Sequence, residues 1–149
     1  MTAQQMWELF IKQNPEAADH AYDAWCYGDA PDELAELTRK GIKSATASAY
    51  PIYELEKEPL PEAGTYSVIL YSDESAACVI QTEKVYVTPF RSVTEEQAFR
   101  EGEGDRTLRH WRAVHERFFR IEMETAGLNF TEEMDVVCEE FKVVFPLSL

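Results

Sequence analysis

The chain has 149 residues, 45% of them hydrophobic, and a formal net charge of −14. That length and apolar content suit one domain with a sizeable core, and the spread of aromatic and β-branched residues excludes disorder. The acidity weighs against an extended, nonspecific grip on RNA or DNA, which depends on neutralising phosphates. No run of about 18 apolar residues offers a membrane span.

The start, "MTAQQMWELF", lacks a basic region followed by an apolar stretch, so a cytoplasmic protein without a secretory leader is expected. Cys26, Cys78 and Cys138 lie far apart in no metal-type or CxxC spacing, and are expected as buried free thiols. Taking the elements in order, "MWELFIKQ" sets Met6, Leu9 and Phe10 at helical spacing. Asn14 and Pro15 then cap and start a second helix, with Ala18, Ala21, Tyr22 and Trp25 as its apolar stripe. Residues 1–30 thus read as an N-terminal helical extension on a single domain of residues 1–149.

"GDAPDELAELTRKG" predicts a helix capped by Asp29, started by Pro31 and stopped by Gly41, with Leu34 and Leu37 facing the core. "YPIYELEKEPLPEAG" reads as a connection with some helix in "IYEL". "TYSVILYS" and "AACVIQTEKVYVTPF" are strands joined by a turn at Asp73, Glu74 and Ser75. Thr94 opens a short helix with a Thr-x-x-Gln capping box and Gly102 as its stop. A long helix over 107–126 carries Leu108, Trp111, His115, Phe118, Phe119 and Glu122 along one stripe. "DVVCEEFKVVFPL" closes as a strand pair or one long bent strand. Interleaved helices and strands give an α+β protein, whose short strands could close as a small barrel.

Candidate chemistry gathers at two places. Lys43 follows a helix end and stands three residues before Thr46 among small residues. It either satisfies helix carbonyls, or activates a hydroxyl or holds an anion. "EGEGD" places Glu101, Glu103 and Asp105 between two helices, either as an acidic loop with Asp105 capping the next helix or as carboxylates that share a proton or hold a hard cation. His20, His110 and His115 form no metal motif. Trp25, Phe90 and Trp111 serve either as core or as stacking surfaces for a base. Phosphate-binding loops and dinucleotide fingerprints are absent.

Together, "AWCYGDAPDELAELTRKGIKSATAS", "PF" at 89–90, "EGEGDRTLRHWRAVHERFF" and "VVCEEFKVVF" resemble the ASCH domain family, over nearly the whole chain. The resemblance implies a PUA-like fold, a small, mostly antiparallel β-barrel flanked by helices around a cleft. It implies a nucleoside-, nucleotide- or RNA-related ligand; the residues themselves, without a histidine metal motif, lead to the expectation of no cofactor and no metal. One branch of the family removes acyl groups from N4-acylated cytidines with a lysine, a threonine and a glutamate, and Lys43, Thr46 and Glu101 match these as catalytic residues. Trp25, Ser44, Ser48, Phe90, Asp105, Trp111 and His115 are then candidate ligand contacts. Ser48 stands where that branch has an arginine, which takes a cation out of the pocket.

Three classes stay open. One is a hydrolase of a small nucleoside-like amide. The second is a module that binds a nucleotide or short single-stranded RNA without chemistry. The third is a metal-dependent ribonuclease using the "EGEGD" carboxylates. A homodimer is a further expectation, from the added helical parts.

Overall fold

The computed structural model describes residues 1–147. Its centre is a five-stranded sheet in the order β1-β3-β4-β5-β2. The strands are β1 (Tyr22–Trp25), β2 (Ala45–Ala49), β3 (Tyr66–Leu70), β4 (Ala76–Pro89) and β5 (Asp135–Phe145). β1 runs parallel to β3, and every other pair is antiparallel. The helices are α1 (Ala3–Gln13), α2 (Pro31–Arg39), α3 (Tyr50–Glu56), α4 (Glu95–Glu101) and α5 (Leu108–Thr125). No helix among the described residues is long and apolar enough to cross a membrane.

Two expectations are corrected here. The sheet does not close into a barrel: β1 and β2 are its two edges and do not pair with each other. Both are short, at four and five residues, and α4 packs against β2. The expected second helix is also absent. Its residues form a short 3-10 turn (Pro15–Ala17) and then β1. The helical stripe loses because pairing with β3 claims Tyr22 and Trp25, and because Tyr22 stacks on Trp7 of α1 at 4.8 Å.

The rest follows the sequence closely. Thr2 and Gln5 close a capping box on α1, which buries Met6, Trp7 and Phe10 while Leu9 stays 40% exposed. α2 starts at Pro31 behind Ala30 in a left-handed conformation, so Asp29 is not its cap. Its end is sealed by the chain itself, since the amides of Ile42 and Lys43 both donate to the Leu37 carbonyl at 3.0 Å. β3 and β4 form the expected hairpin, with the Tyr71 amide donating to the Ser75 carbonyl. β5 is one long strand between β4 and β2.

Three apolar clusters hold these layers. α1 packs Met6, Trp7 and Phe10 on Val68 and Val79. α2 packs Leu34 and Ala35 with Tyr27 on Ile69, Cys78, Ile80 and Phe141. α5 packs Trp111, Phe119 and Met123 on Phe90, Val136 and Cys138. The edge strand β2 lies where the α2 layer and the α4–α5 layer come closest.

Candidate active site

A small cavity of about 70 Å³ opens over β2. Tyr27, Asp29 and Leu34 wall it from the α2 side, and Glu101, His115 and Phe118 from the other. Lys43, Thr46 and Ala47 join the two walls, and Glu103 also lines it. The three residues matched to the acyl-removing branch therefore share one cavity.

Lys43 is only 1% exposed. Its amide seals α2, while its ammonium reaches the end of α4. There it lies 3.5 Å from the Glu101 carbonyl, 3.4 Å from Glu101 Oε1 and 3.2 Å from Glu103 Oε2. The negative end of a helix and two carboxylates thus meet one cation. Tyr27 lies below, its ring centroid 5.2 Å from the Lys43 nitrogen and its hydroxyl held by Thr38. Lys43 makes no hydrogen bond to Thr46. The Thr46 carbonyl accepts from Gln97, and its hydroxyl makes no hydrogen bond among the described residues.

Glu101 is also 1% exposed and receives four donors. Lys43 and His115 meet Oε1, the latter at 3.2 Å. Gln97 and Trp111 meet Oε2 at 3.1 and 2.6 Å. Burial alone would push this carboxyl up; Lys43, then His115 and Trp111, overcome that and hold it well below the usual carboxylate range. A carboxylate so pinned is a holder of other groups and a poor proton acceptor.

His115 completes the network. Its Nδ1 lies 2.9 Å from the Trp111 carbonyl and its Nε2 faces Glu101. Both partners accept and neither donates, so both ring nitrogens carry hydrogen and His115 is an imidazolium. Burial opposes that charge; the Glu101 carboxylate outweighs it and moves the histidine upward. The ring also stacks on Trp111 at 4.2 Å.

The other candidate contacts divide. Trp111 is 2% exposed and orients Glu101 instead of stacking on a ligand. Phe90, equally buried, packs on Trp111, Phe119 and Phe130 and is core. Trp25 packs edge-on against Tyr27, outside the cavity lining. Ser44 bonds the Arg100 carbonyl, and Ser48 bonds the Tyr53 hydroxyl at 2.9 Å. Asp105 accepts from the Thr107 amide and hydroxyl, turned away from the cavity. It serves the turn before α5, whose own cap is Thr107.

Glu101, Glu103 and His115 have ligand-type atoms within 4.8 Å of one another. The Lys43 ammonium stands between the two carboxylates, and a metal ion there would have to displace it. Gln97 is the residue the sequence reading missed. The capping-box motif claims it, and Thr94 does accept its amide, but its side chain turns inward to Glu101 and the Thr46 carbonyl. The Tyr86 hydroxyl donates to its carbonyl oxygen. Three satisfied polar contacts on a side chain 1% exposed are the signal that was available only in three dimensions.

An open, mostly antiparallel sheet wrapped by helices, with a cavity at its edge strand, defines an α+β protein of the PUA-like kind. The ASCH domain model matches residues 23–145, and the chain belongs to the ASCH domain family. It is 29% identical to the ASCH domain from Lactobacillus crispatus JV V101, whose crystal structure matches with a TM-score of 0.88 over 95% of this chain and 92% of that one. A crystal structure of a protein from Enterococcus faecalis V583 is 35% identical, with a TM-score of 0.86 over 94% of this chain and 86% of that one. A further hypothetical protein, 14% identical, shares the fold alone, with a TM-score of 0.54. No curated protein matches the chain.

Proposed function

We propose that this protein hydrolyses a small amide carried on a nucleoside-like ligand. Thr46 attacks the amide carbon. The Lys43 ammonium holds the carbonyl oxygen as it gains charge, and Glu101 holds Lys43 in place. The observation that carries this reading is a buried ammonium fixed by a carboxylate beside an unbonded threonine hydroxyl, at one cavity. A buried ion pair seldom stabilises a fold better than apolar packing does, so its presence at a cavity favours chemistry.

The geometry around the lysine supports a donor's part for it. Its nitrogen faces three acceptors. The Glu103 contact is the exchangeable one, because Glu103 is 18% exposed and sits between Gly102 and Gly104, both at positive φ. A substrate carbonyl that replaces Glu103 meets a charged donor in a water-poor site, the arrangement that stabilises an oxyanion. The cavity suits an acyl group rather than a whole nucleoside, since pockets that enclose entire ligands measure about 300–1,000 Å³. The base would then lie at the mouth.

Binding of RNA without chemistry is less well supported. Phe90 and Trp111 are buried and offer no stacking platform, and the net charge of −14 repels a long phosphate chain. A ribonuclease built on the three "EGEGD" carboxylates is weakened by the outward turn of Asp105.

The test is turnover of a panel of N4-acylcytidines and simple amides by wild type, Lys43→Ala and Thr46→Ala. Wild-type turnover is expected, with kcat lowered about 100-fold or more in Lys43→Ala, the usual cost of losing an oxyanion donor, and abolished in Thr46→Ala. A folded wild type that turns over none of the panel overturns this reading in favour of ligand binding, which calorimetry with cytidine would then measure.

A further inference from the structure

Glu139 takes no part in the network above, yet it stands directly across the β2–β5 pair from Thr46. Residues opposed in an antiparallel pair project from the same face, with Cβ atoms about 4.5–5.5 Å apart. Glu139 is 9% exposed. One of its oxygens lies 3.4 Å from the Thr82 hydroxyl on β4, and the other makes no hydrogen bond among the described residues. Among the described residues no cation pairs with it.

The proposed reaction leaves the Thr46 proton in need of an acceptor. The Glu101 oxygens already hold four donors. Lys43 and His115 face only acceptors and act as donors themselves. Glu103 is the contact that a substrate displaces. Of the buried groups beside Thr46, Glu139 alone is a carboxylate with an open lone pair.

We propose that Glu139 is the base that takes the hydroxyl proton of Thr46 as the Thr46 oxygen attacks the amide. The oxygen–carbon bond forms and the proton passes to Glu139. The carbon–nitrogen bond then breaks, and the amine leaves with that proton. Water attacks the resulting Thr46 ester and gives a proton to Glu139. The carboxylic acid departs as Thr46 takes that proton back, and both residues are restored.

The surroundings of Glu139 fit this part. Burial pushes it up to about 7, with the Thr82 hydroxyl pulling weakly the other way, and a base near the working pH is the efficient one. The titratable groups facing it are Tyr27 ahead of α2 and Tyr53 on α3, both pushed up by burial, so neither ionises in the neutral range. Its cross-strand neighbours on β2 and β4 are Thr46 and Val85, neither of which titrates, and the Thr82 hydroxyl is its hydrogen-bond partner.

This role rests on the amidohydrolase reading, and the experiment separates the two. Pre-folded wild type, Glu139→Gln, Thr82→Val and Thr46→Ala are assayed on an N4-acylcytidine across pH, with circular dichroism as the folding check. Wild-type kcat/KM should rise with pH through about 7 and fall again as the His115 imidazolium is lost. Glu139→Gln should lose the rising limb and about 10²–10⁴-fold in kcat, the usual contribution of a general base, with KM little changed. Thr82→Val removes a hydroxyl that holds Glu139 down, so its rising limb should move to higher pH. Wild-type activity and an unchanged limb in Glu139→Gln, with Thr46→Ala dead, overturns the assignment and keeps the hydrolase. A folded but inactive wild type overturns both. Should Glu139→Gln not fold, an unmoved limb in Thr82→Val overturns the assignment by itself.

Discussion

Two buried carboxylates neighbour Thr46, Glu101 at the same cavity and Glu139 across the β2–β5 pair, and their surroundings drive them in opposite directions. Glu101 meets two cations and two neutral N–H donors, and stays ionised far below its ordinary range. Glu139 meets one hydroxyl, and burial lifts it from 4.5 to about 7. Depth is nearly equal, at 1% and 9% exposure. The partners, not the depth, decide which of the two holds a structure together and which is free to exchange a proton.

The sharpest way to break this contrast is Glu101→Ala. It leaves Lys43 and His115 buried without their carboxylate and the Trp111 N–H without an acceptor. A loss of about 3–5 kcal/mol is expected, as for other broken buried pairs, read from urea unfolding. A loss under 1 kcal/mol would show that Glu103 and water replace it.

The next effect runs with pH, and its sign differs between the two. Glu101 is depressed in the folded state, so its contribution is present above 4.5 and is lost as pH falls toward about 2. Glu139 is raised, so the folded chain holds a proton that the unfolded chain has released between 4.5 and about 7, and stability falls as pH rises through that window. Glu139→Gln should therefore be more stable than wild type above pH 7, by on the order of 3 kcal/mol at most. The two should converge below 4.5. Equal stability at pH 8 would mean that Glu139 is solvated.

A smaller change refines the Glu101 side. Trp111→Phe keeps a ring against His115 but removes the 2.6 Å bond to the carboxylate. It should cost about 1.5–3 kcal/mol, the range for hydrogen bonds to charged groups. The smallest effect belongs to Cys26→Ser, at the surface, expected within about 0.5 kcal/mol of wild type. In native protein, thiol titration should find Cys26 alone, because Cys78 and Cys138 are buried and pushed up to about 12.

Much of this arrangement was legible in the sequence. Lys43, Thr46 and Glu101 sit in short segments whose order carries the family resemblance, and the α5 stripe carried Trp111 and His115. What was not legible depends on long-range pairing. Tyr22 and Trp25 fit a helical stripe and a strand equally well until β3 is present to pair with them. Phe90 looked free to stack because nothing local shows that Arg112 grips its carbonyl and three rings enclose it. Glu139 looked like one more acid on a strand; only the register with Thr46 sets it apart. Gln97 was concealed by a cap motif that it half fulfils.

The open sheet has one more consequence. An edge strand with free backbone groups is a template for another chain, and β2 is such an edge. Here the Gln97 amide occupies the Thr46 carbonyl, and the Arg100 carbonyl takes the Ser44 amide just ahead of the strand. The helix that orients the acid of the site thereby acts as a guard rail against strand-to-strand association. A substitution at Gln97 would loosen Glu101 and uncover a sticky edge together, so damage to the site and a tendency to aggregate would arrive as one phenotype.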